Sequence, residues 1–375
     1  MTIKIPLLRP YFDYEEIEEI KKVLDSGWVS QGPKVKEFED KIAEYLGVKY
    51  AIAVTNCTSA LHLALLGIGV KEGDEVLVAD FTFPATGHVV LYCGAEPVFI
   101  DIDLKTYNMS SELIEEKITD KTKAIIPVHT FGQPAEMDTI MKIAEGYNLK
   151  VIEDAACALG AKYKNTYAGT IGDIGCFSFH ARKGITTGEG GMVITNNKNL
   201  AQTVRNLSVF GMTSAWNREK SDNFIIPEFT KVGYNYKMSD ITAAVGVAQL
   251  RKLDKIIEKK HILAKRWDEK LQEMDFIESP YCSKNVKHVY QSYVALVDKY
   301  VNRNRLIETL LKKGIQTQIG TYVSHIQPVY NSKQNCPNSL EIFNKSLALP
   351  MYYMLKEEDV DLAALHLKRA LEETK

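Results

Sequence analysis

Residues 176–195, CFSFHARKGITTGEGGMVIT, read as a short aromatic strand, a lysine, a glycine-rich turn and a second β-rich run, with no acid adjacent to Lys183 to pair with it. Reading outward from this segment, "YAIAV" (50–54), "EVLVA" (75–79), "EPVFID" (96–101), "KAIIPV" (123–128) and "KVIED" (150–154) are further β-rich runs, most of them separated by helical stretches. Such alternation predicts an α/β fold, a mostly parallel sheet with helices on both faces. In these sheets ligands bind beyond the carboxyl ends of the strands. The residues there are Thr55 to Ser59, Asp80 to Pro84, Glu153-Asp154 and, after "CFSFH", Lys183.

On the amino-terminal side, Asp13 followed by Glu16 precedes Ile17, Ile20, Val23 and Leu24 at helical spacing, the pattern of a capped amphipathic helix. A second helix, with Val35, Phe38, Ile42 and Leu46 inward, should end at Gly47. On the carboxyl side, 239–274 reads as one or two long helices capped by Ser239 or Asp240. They lead into a smaller α+β unit with strands at "YQSYVALV" and "GIQTQIG" and helices near 303–313 and 358–373. This divides the chain into a large domain, 1–245, and a small carboxyl-terminal domain, 246–375.

The chain has 375 residues, 45% of them hydrophobic, enough for a large core. Forty-six Lys and Arg against 48 Asp and Glu leave a net charge of -2, which argues against a nucleic-acid partner. Pro6 and Pro10 interrupt the amino terminus and no long apolar run occurs, so a soluble cytoplasmic protein without a membrane segment is expected. The six cysteines are scattered without metal-ligand spacing and read as reduced thiols. Gly27-x4-Gly32 continues with Pro33 where a phosphate loop needs lysine. Gly67-Ile68-Gly69 lacks the third glycine of a dinucleotide fingerprint, which counts against a nicotinamide dehydrogenase and leaves it as a rival that an aldimine absorbance would exclude. No serine stands in a G-x-S-x-G elbow.

A partly desolvated lysine can form a Schiff base with an aldehyde such as pyridoxal phosphate. That cofactor needs donors for its phosphate, a carboxylate for its ring nitrogen and a cover for its ring face. Thr58 and Ser59 open the helix "SALHLALLG", where they either grip a phosphate or simply cap. Asp154 either holds the pyridinium proton or caps a strand end. Phe83 either stacks on the ring or packs beside Pro84. Ser178 can add a phosphate bond, and Gly188, Gly190 and Gly191 allow a tight turn.

These residues, with "SGWVSQGPKVKEFE" (26–39), "NCTSALHLAL" (56–65), "FTFPAT" (81–86), "HTFGQPAEMD" (129–138), "VIEDAACALGA" (151–161), "GDIGCFSFHARKGITTGEGGM" (172–192), "GYNYKMSDI" (233–241) and "LALP" (347–350), resemble the DegT/DnrJ/EryC1/StrS sugar aminotransferases, fold-type I pyridoxal-phosphate enzymes. The resemblance runs over nearly the whole chain. It implies that Lys183 carries the cofactor, Asp154 pairs its ring nitrogen, Phe83 stacks, and Thr58, Ser59 and Ser178 hold its phosphate. Asn235 would reach into a neighbouring subunit's phosphate site, implying a homodimer with shared sites. Cys157 stands where the family usually has Gln or His near the phenolic oxygen and is a weaker hydrogen-bond partner.

Retention of the lysine, which dehydratases of the family exchange for histidine, implies ping-pong transfer of an amino group from L-glutamate to a nucleotide-linked keto sugar, a 4-keto-6-deoxyhexose. Another ketone such as an aminocyclitol precursor, a sugar dehydration and a non-catalytic sensor are the alternatives. His180, Arg182 and His325 are candidates for substrate contact and equally for structural bonding. The segments around Trp28, Tyr290 and Tyr322 either line the acceptor pocket or pack in the core.

Overall fold

A computed structural model describes residues 3–213 and 226–374. Its centre is a seven-stranded sheet of β1 (Tyr50–Val54), β2 (Glu75–Ala79), β3 (Glu96–Ile100), β4 (Thr122–Ile126), β5 (Lys150–Asp154), β6 (Ile174–Ser178) and β7 (Gly191–Thr195), in the order β1-β7-β6-β5-β4-β2-β3. The pairs from β6 through β5, β4 and β2 to β3 are parallel. Strand β7 runs antiparallel to both β6 and β1. All five residues of β6 and of β7 are buried, as strands covered on both faces require. The reversal at β7 is what the glycine turn after Lys183 accomplishes, returning the chain beside the strand it has just left.

Helices α1 (Tyr14–Ser26), α2 (Pro33–Leu46), α3 (Cys57–Gly67), α4 (Ala85–Tyr92), α5 (Met137–Gly146), α6 (Lys198–Ser208) and α7 (Asp240–Leu250) surround this sheet, and α8 (Leu253–Leu271) leads out of it. One core holds α3 and α6 against β1, β6 and β7, and another holds α2, α7 and the start of α8 against the opposite face. The far half of α8, through Leu263, Trp267 and Leu271, belongs to a separate core. That core also contains Tyr293, Leu347, Val360, Leu367 and the amino-terminal Ile5. It covers a three-stranded antiparallel sheet of β8 (Ile277–Glu278), β9 (Tyr293–Val297) and β10 (Ser346–Leu349), beside α9 (Arg303–Lys312), α10 (Pro337–Lys345) and α11 (Glu357–Glu373).

Two local expectations are corrected. The "GIQTQIG" run is not a strand. Ile315 and Gln318 make single bridges to Ile5 and Ala348, and the Gln316 side chain accepts the Leu7 N–H at 3.2 Å, so this stretch ties down the amino-terminal arm while 346–349 supplies the strand. Helix α1 has the expected capping bonds, Asp13 N–H to the Glu16 carboxylate and Glu15 N–H to that of Asp13, both 2.9 Å. Its apolar positions split, however: Val23 is buried and Ile20 half-buried, whereas Ile17 and Leu24, with Tyr14, are 67%, 57% and 73% exposed. The buried positions include Glu16 and Glu19, held by Lys252, Lys34 and Arg251. Among the described residues no helix is long and apolar enough to cross a membrane.

Candidate active site

Strand alternation points Glu153 and Asp154 to opposite faces of the sheet. Glu153 is fully buried and accepts the N–H groups of Gly169, Ile171 and Gly172 at 2.6–2.7 Å. His129 Nδ1 accepts the Ala135 N–H, which leaves the ring proton on Nε2, and Nε2 donates to Glu153 at 2.8 Å. This network fixes the end of β5. Asp154 follows, 5% exposed, accepting the Thr86 hydroxyl at 2.9 Å and the Ala156 N–H at 3.1 Å. No lysine, arginine or histidine among the described residues forms an ion pair with it. A buried carboxylate without a cation carries a large desolvation cost, which a protonated pyridine nitrogen would offset.

The half-buried Lys183 points its amine to Cys157 Sγ at 3.2 Å. Burial pulls this amine down, but Cys157, Asp154 and Cys57 outweigh that, leaving it above the ordinary lysine value. Cys157 is therefore a contact of the lysine, and Lys183 and Asp154 are close enough to act on one another electrostatically.

Helix α3 begins at Cys57, capped by Asn56, whose side chain accepts the Ser59 N–H at 2.8 Å. Thr58 and Ser59 thus lie inside the first turn and are not its cap. Ser59 Oγ shares a hydrogen bond of 3.1 Å with Thr55 Oγ1. Beneath them, a Cβ on Gly191 would lie 2.4 Å from the carbonyl carbon of Asn56 and 2.7 Å from Cys57 N, so only glycine lets β7 approach this helix end. Ser178, at the end of β6, is 8% exposed and accepts the His180 N–H at 3.3 Å. Free amides at a helix start with adjacent hydroxyls suit a phosphate. Phe83 is 63% exposed with Tyr322 against its edge at 6.1 Å, an open ring face available for stacking. The residue set therefore fits pyridoxal phosphate.

The other candidates scatter. Asn235 is exposed, with its side chain bonded to Lys237. His180 faces Glu189 at 3.7 Å, and Arg182 is exposed. His325 is bound by Asp80, which accepts its Nδ1–H and its backbone N–H at 2.7 Å each. Cys336 completes a trio whose ligand atoms lie within 4.8 Å of one another, a grouping invisible in the sequence. Tyr322 lies beside Phe83, Tyr290 stacks on His288 at 4.0 Å, and Trp28 is exposed. Thr86, which holds Asp154, went unrecognised because its partner is 68 residues away. Lys260, sharing a cavity with Lys183 and Cys157, looks in sequence like any solvated helix lysine.

A family profile matches residues 10–367. The chain belongs to the DegT/DnrJ/EryC1/StrS aminotransferase family. This aminotransferase is 41% identical over 358 residues to the GDP-perosamine synthase of Escherichia coli O157:H7, covering 95% of each chain. It is 38% identical over 367 residues to a spore coat polysaccharide biosynthesis protein of Bacillus subtilis, covering 95% of this chain and 94% of the other. Among solved structures it superimposes at TM-score 0.93 on a Streptococcus pneumoniae sugar-aminotransferase-like chain in its PMP form, with 28% identity and coverage of 99% and 100%. On the Helicobacter pylori aminotransferase of pseudoaminic acid biosynthesis the TM-score is 0.92, with 26% identity and coverage of 98% and 99%. The fold is therefore that of the pyridoxal-phosphate sugar aminotransferases, and the cofactor of this transaminase is pyridoxal phosphate.

Proposed function

We propose that this aminotransferase moves the amino group of L-glutamate to a nucleotide-linked keto sugar, a 4-keto-6-deoxyhexose, with Lys183 and Asp154 as its catalytic residues. The observation that carries the reading is the buried, cation-free carboxylate of Asp154 in a site that also holds the Lys183 amine. Similarity to a relative named for GDP-perosamine, a nucleotide-linked compound, supports the acceptor class.

Pyridoxal phosphate, when bound, supplies an aldehyde for amine exchange and a ring that accepts electrons. Asp154 holds a proton at the ring nitrogen, and Thr86 orients that carboxylate through the bond to Oδ2. Lys183 would hold the cofactor at rest; its amine, once displaced, would act as the base toward the α-carbon of the donor and then as the acid, and in the reverse order on the acceptor. Ser59, Thr58 and Ser178, with the first amides of α3, grip the phosphate, and Phe83 covers the ring. Cys157 accepts from the Lys183 amine when that amine is free.

The protein works as a homodimer in this reading. Tyr14, Ile17, Leu24 and Trp28 form an outward apolar face of the kind a second subunit covers, and Asn235, exposed and bonded here to Lys237, would exchange that bond for a partner's site. In this reading residues 1–245 form the large domain and 246–375 the small one. Incubation with L-glutamate and a panel of GDP-, UDP- and dTDP-linked keto sugars, read by product mass, tests the reaction. Amino sugar formed from a 4-keto substrate supports it, and transfer only to non-nucleotide ketones, or none, refutes it.

A further inference from the structure

A buried lysine shares the surroundings of Lys183. Lys260, on α8, is 3% exposed, and its amine has one hydrogen-bond acceptor among the described residues, the backbone carbonyl of Gln291 at 3.4 Å. An ammonium offers three donors, so a buried one with a single long bond is underserved. Lys260 lines two cavities, and Lys183 lines both with it. One of these is a cleft where Lys183 and Lys260 meet the amino-terminal arm at Arg9 and the small-domain residues Met351, Tyr352 and Tyr353. No acidic residue lines this cleft among the described residues, and Arg9, exposed at its edge, makes no ion pair with any of them. Burial pushes the Lys260 amine down to about 8, which leaves it mostly protonated at neutral pH.

A cleft that collects uncompensated cations against the catalytic lysine is built for an anion. Two anionic groups could come to this enzyme, the carboxylates of the amino donor and the diphosphate of a nucleotide sugar. The α-carboxylate of an amino acid is one bond from the carbon whose proton Lys183 moves. In a 4-keto sugar the hexose ring separates the diphosphate from the reacting carbon. We infer that the cleft between Arg9 and Lys260 is the amino-donor subsite, in which these two separate cations bind the two carboxylates of a dicarboxylic amino acid. This rests on the amino-donor reading above and adds the residues that select the donor.

The test uses the purified holoenzyme and glutarate, a dicarboxylate with neither amino nor keto group, in a calorimetric titration, with butyrate as the monocarboxylate control. The wild type should bind glutarate more tightly than butyrate. Arg9→Gln, at an exposed position that the fold does not need, and Lys260→Met should each weaken glutarate binding by about tenfold or more, as loss of a charged hydrogen bond does. In parallel, L-glutamate is added to the wild type and the cofactor absorbance followed. If the absorbance responds to L-glutamate but glutarate binds equally well to the wild type and both variants, or does not bind at all, the subsite is wrong and the donor reading stands. If the wild type ignores L-glutamate but responds to an amino sugar, the donor reading itself falls and the subsite with it.

Discussion

Chemistry in this site depends on a few atoms whose surroundings set what they can do. Lys183→Ala should abolish amino transfer and remove the visible absorbance of the bound cofactor without altering the far-ultraviolet circular dichroism. Retained turnover would contradict its role. Asp154→Asn keeps the shape of the site but not its charge. In single-turnover measurements with L-glutamate it should slow the half-reaction by roughly 10²-fold or more, the scale of losing an electrostatic partner of the reacting charge. Thr86→Val removes one hydrogen bond to that carboxylate, a loss of about 1–2 kcal/mol, so the same rate should fall by about tenfold with cofactor still bound. Lys183 and Asp154 were legible because each closes a β-rich run, where the fold places ligands. Thr86 and Lys260 were not, because a hydroxyl inside "FTFPAT" and a lysine among helix charges gain meaning only from neighbours distant in sequence.

Elements carry the site by local rules that the sequence exposes unevenly. All seven central strands begin and end where alternation and composition place them or within a residue or two, since buried strands of β-branched residues bounded by turns have few alternatives. Helix α1 shows the limit of pattern reading. Its apolar positions were recognisable, but their division was not: Val23 is buried while Ile17 and Leu24 face outward, and ion pairs complete the buried face, Glu16 with Lys252, and Glu19 with Lys34 and Arg251. Burial alone would raise Glu19, yet hydrogen bonds from Lys34, Arg251 and Lys22 hold it down at about 2, against an ordinary value of 4.5. A carboxyl depressed on folding contributes stability that is complete above its unfolded value and is lost as pH falls through the folded one. Stability should therefore decline between pH 4.5 and pH 2, and Glu19→Gln should flatten that decline while lowering stability at pH 7. Urea midpoints measured across this range decide it, and an unchanged acid limb would remove Glu19 from the account.

The whole molecule is a large parallel-sheet layer and a smaller sheet joined through α8, with the amino-terminal arm returning to the second core at Ile5. That return was not visible in the sequence, where residues 3–12 carry no periodicity; they are held by Gly314, Ile315 and Gln316, by the Met351 N–H on the Leu7 carbonyl and by the Gln249 side chain on the Tyr11 carbonyl, all far along the chain. The outward apolar face of α1 gives a prediction at this scale. Analytical ultracentrifugation should show a dimer for the wild type, and Ile17→Asp with Leu24→Asp should shift it toward monomer and cost most of the activity; a fully active monomer would exclude shared sites. All three scales meet at the proposed bond between Lys183 and the cofactor. Borohydride treatment of the holoenzyme followed by peptide mass mapping should find the reduced pyridoxyl phosphate mass on the peptide containing Lys183. An adduct on a different residue, or an unmodified Lys183 in protein that has retained its cofactor, would contradict the assignment.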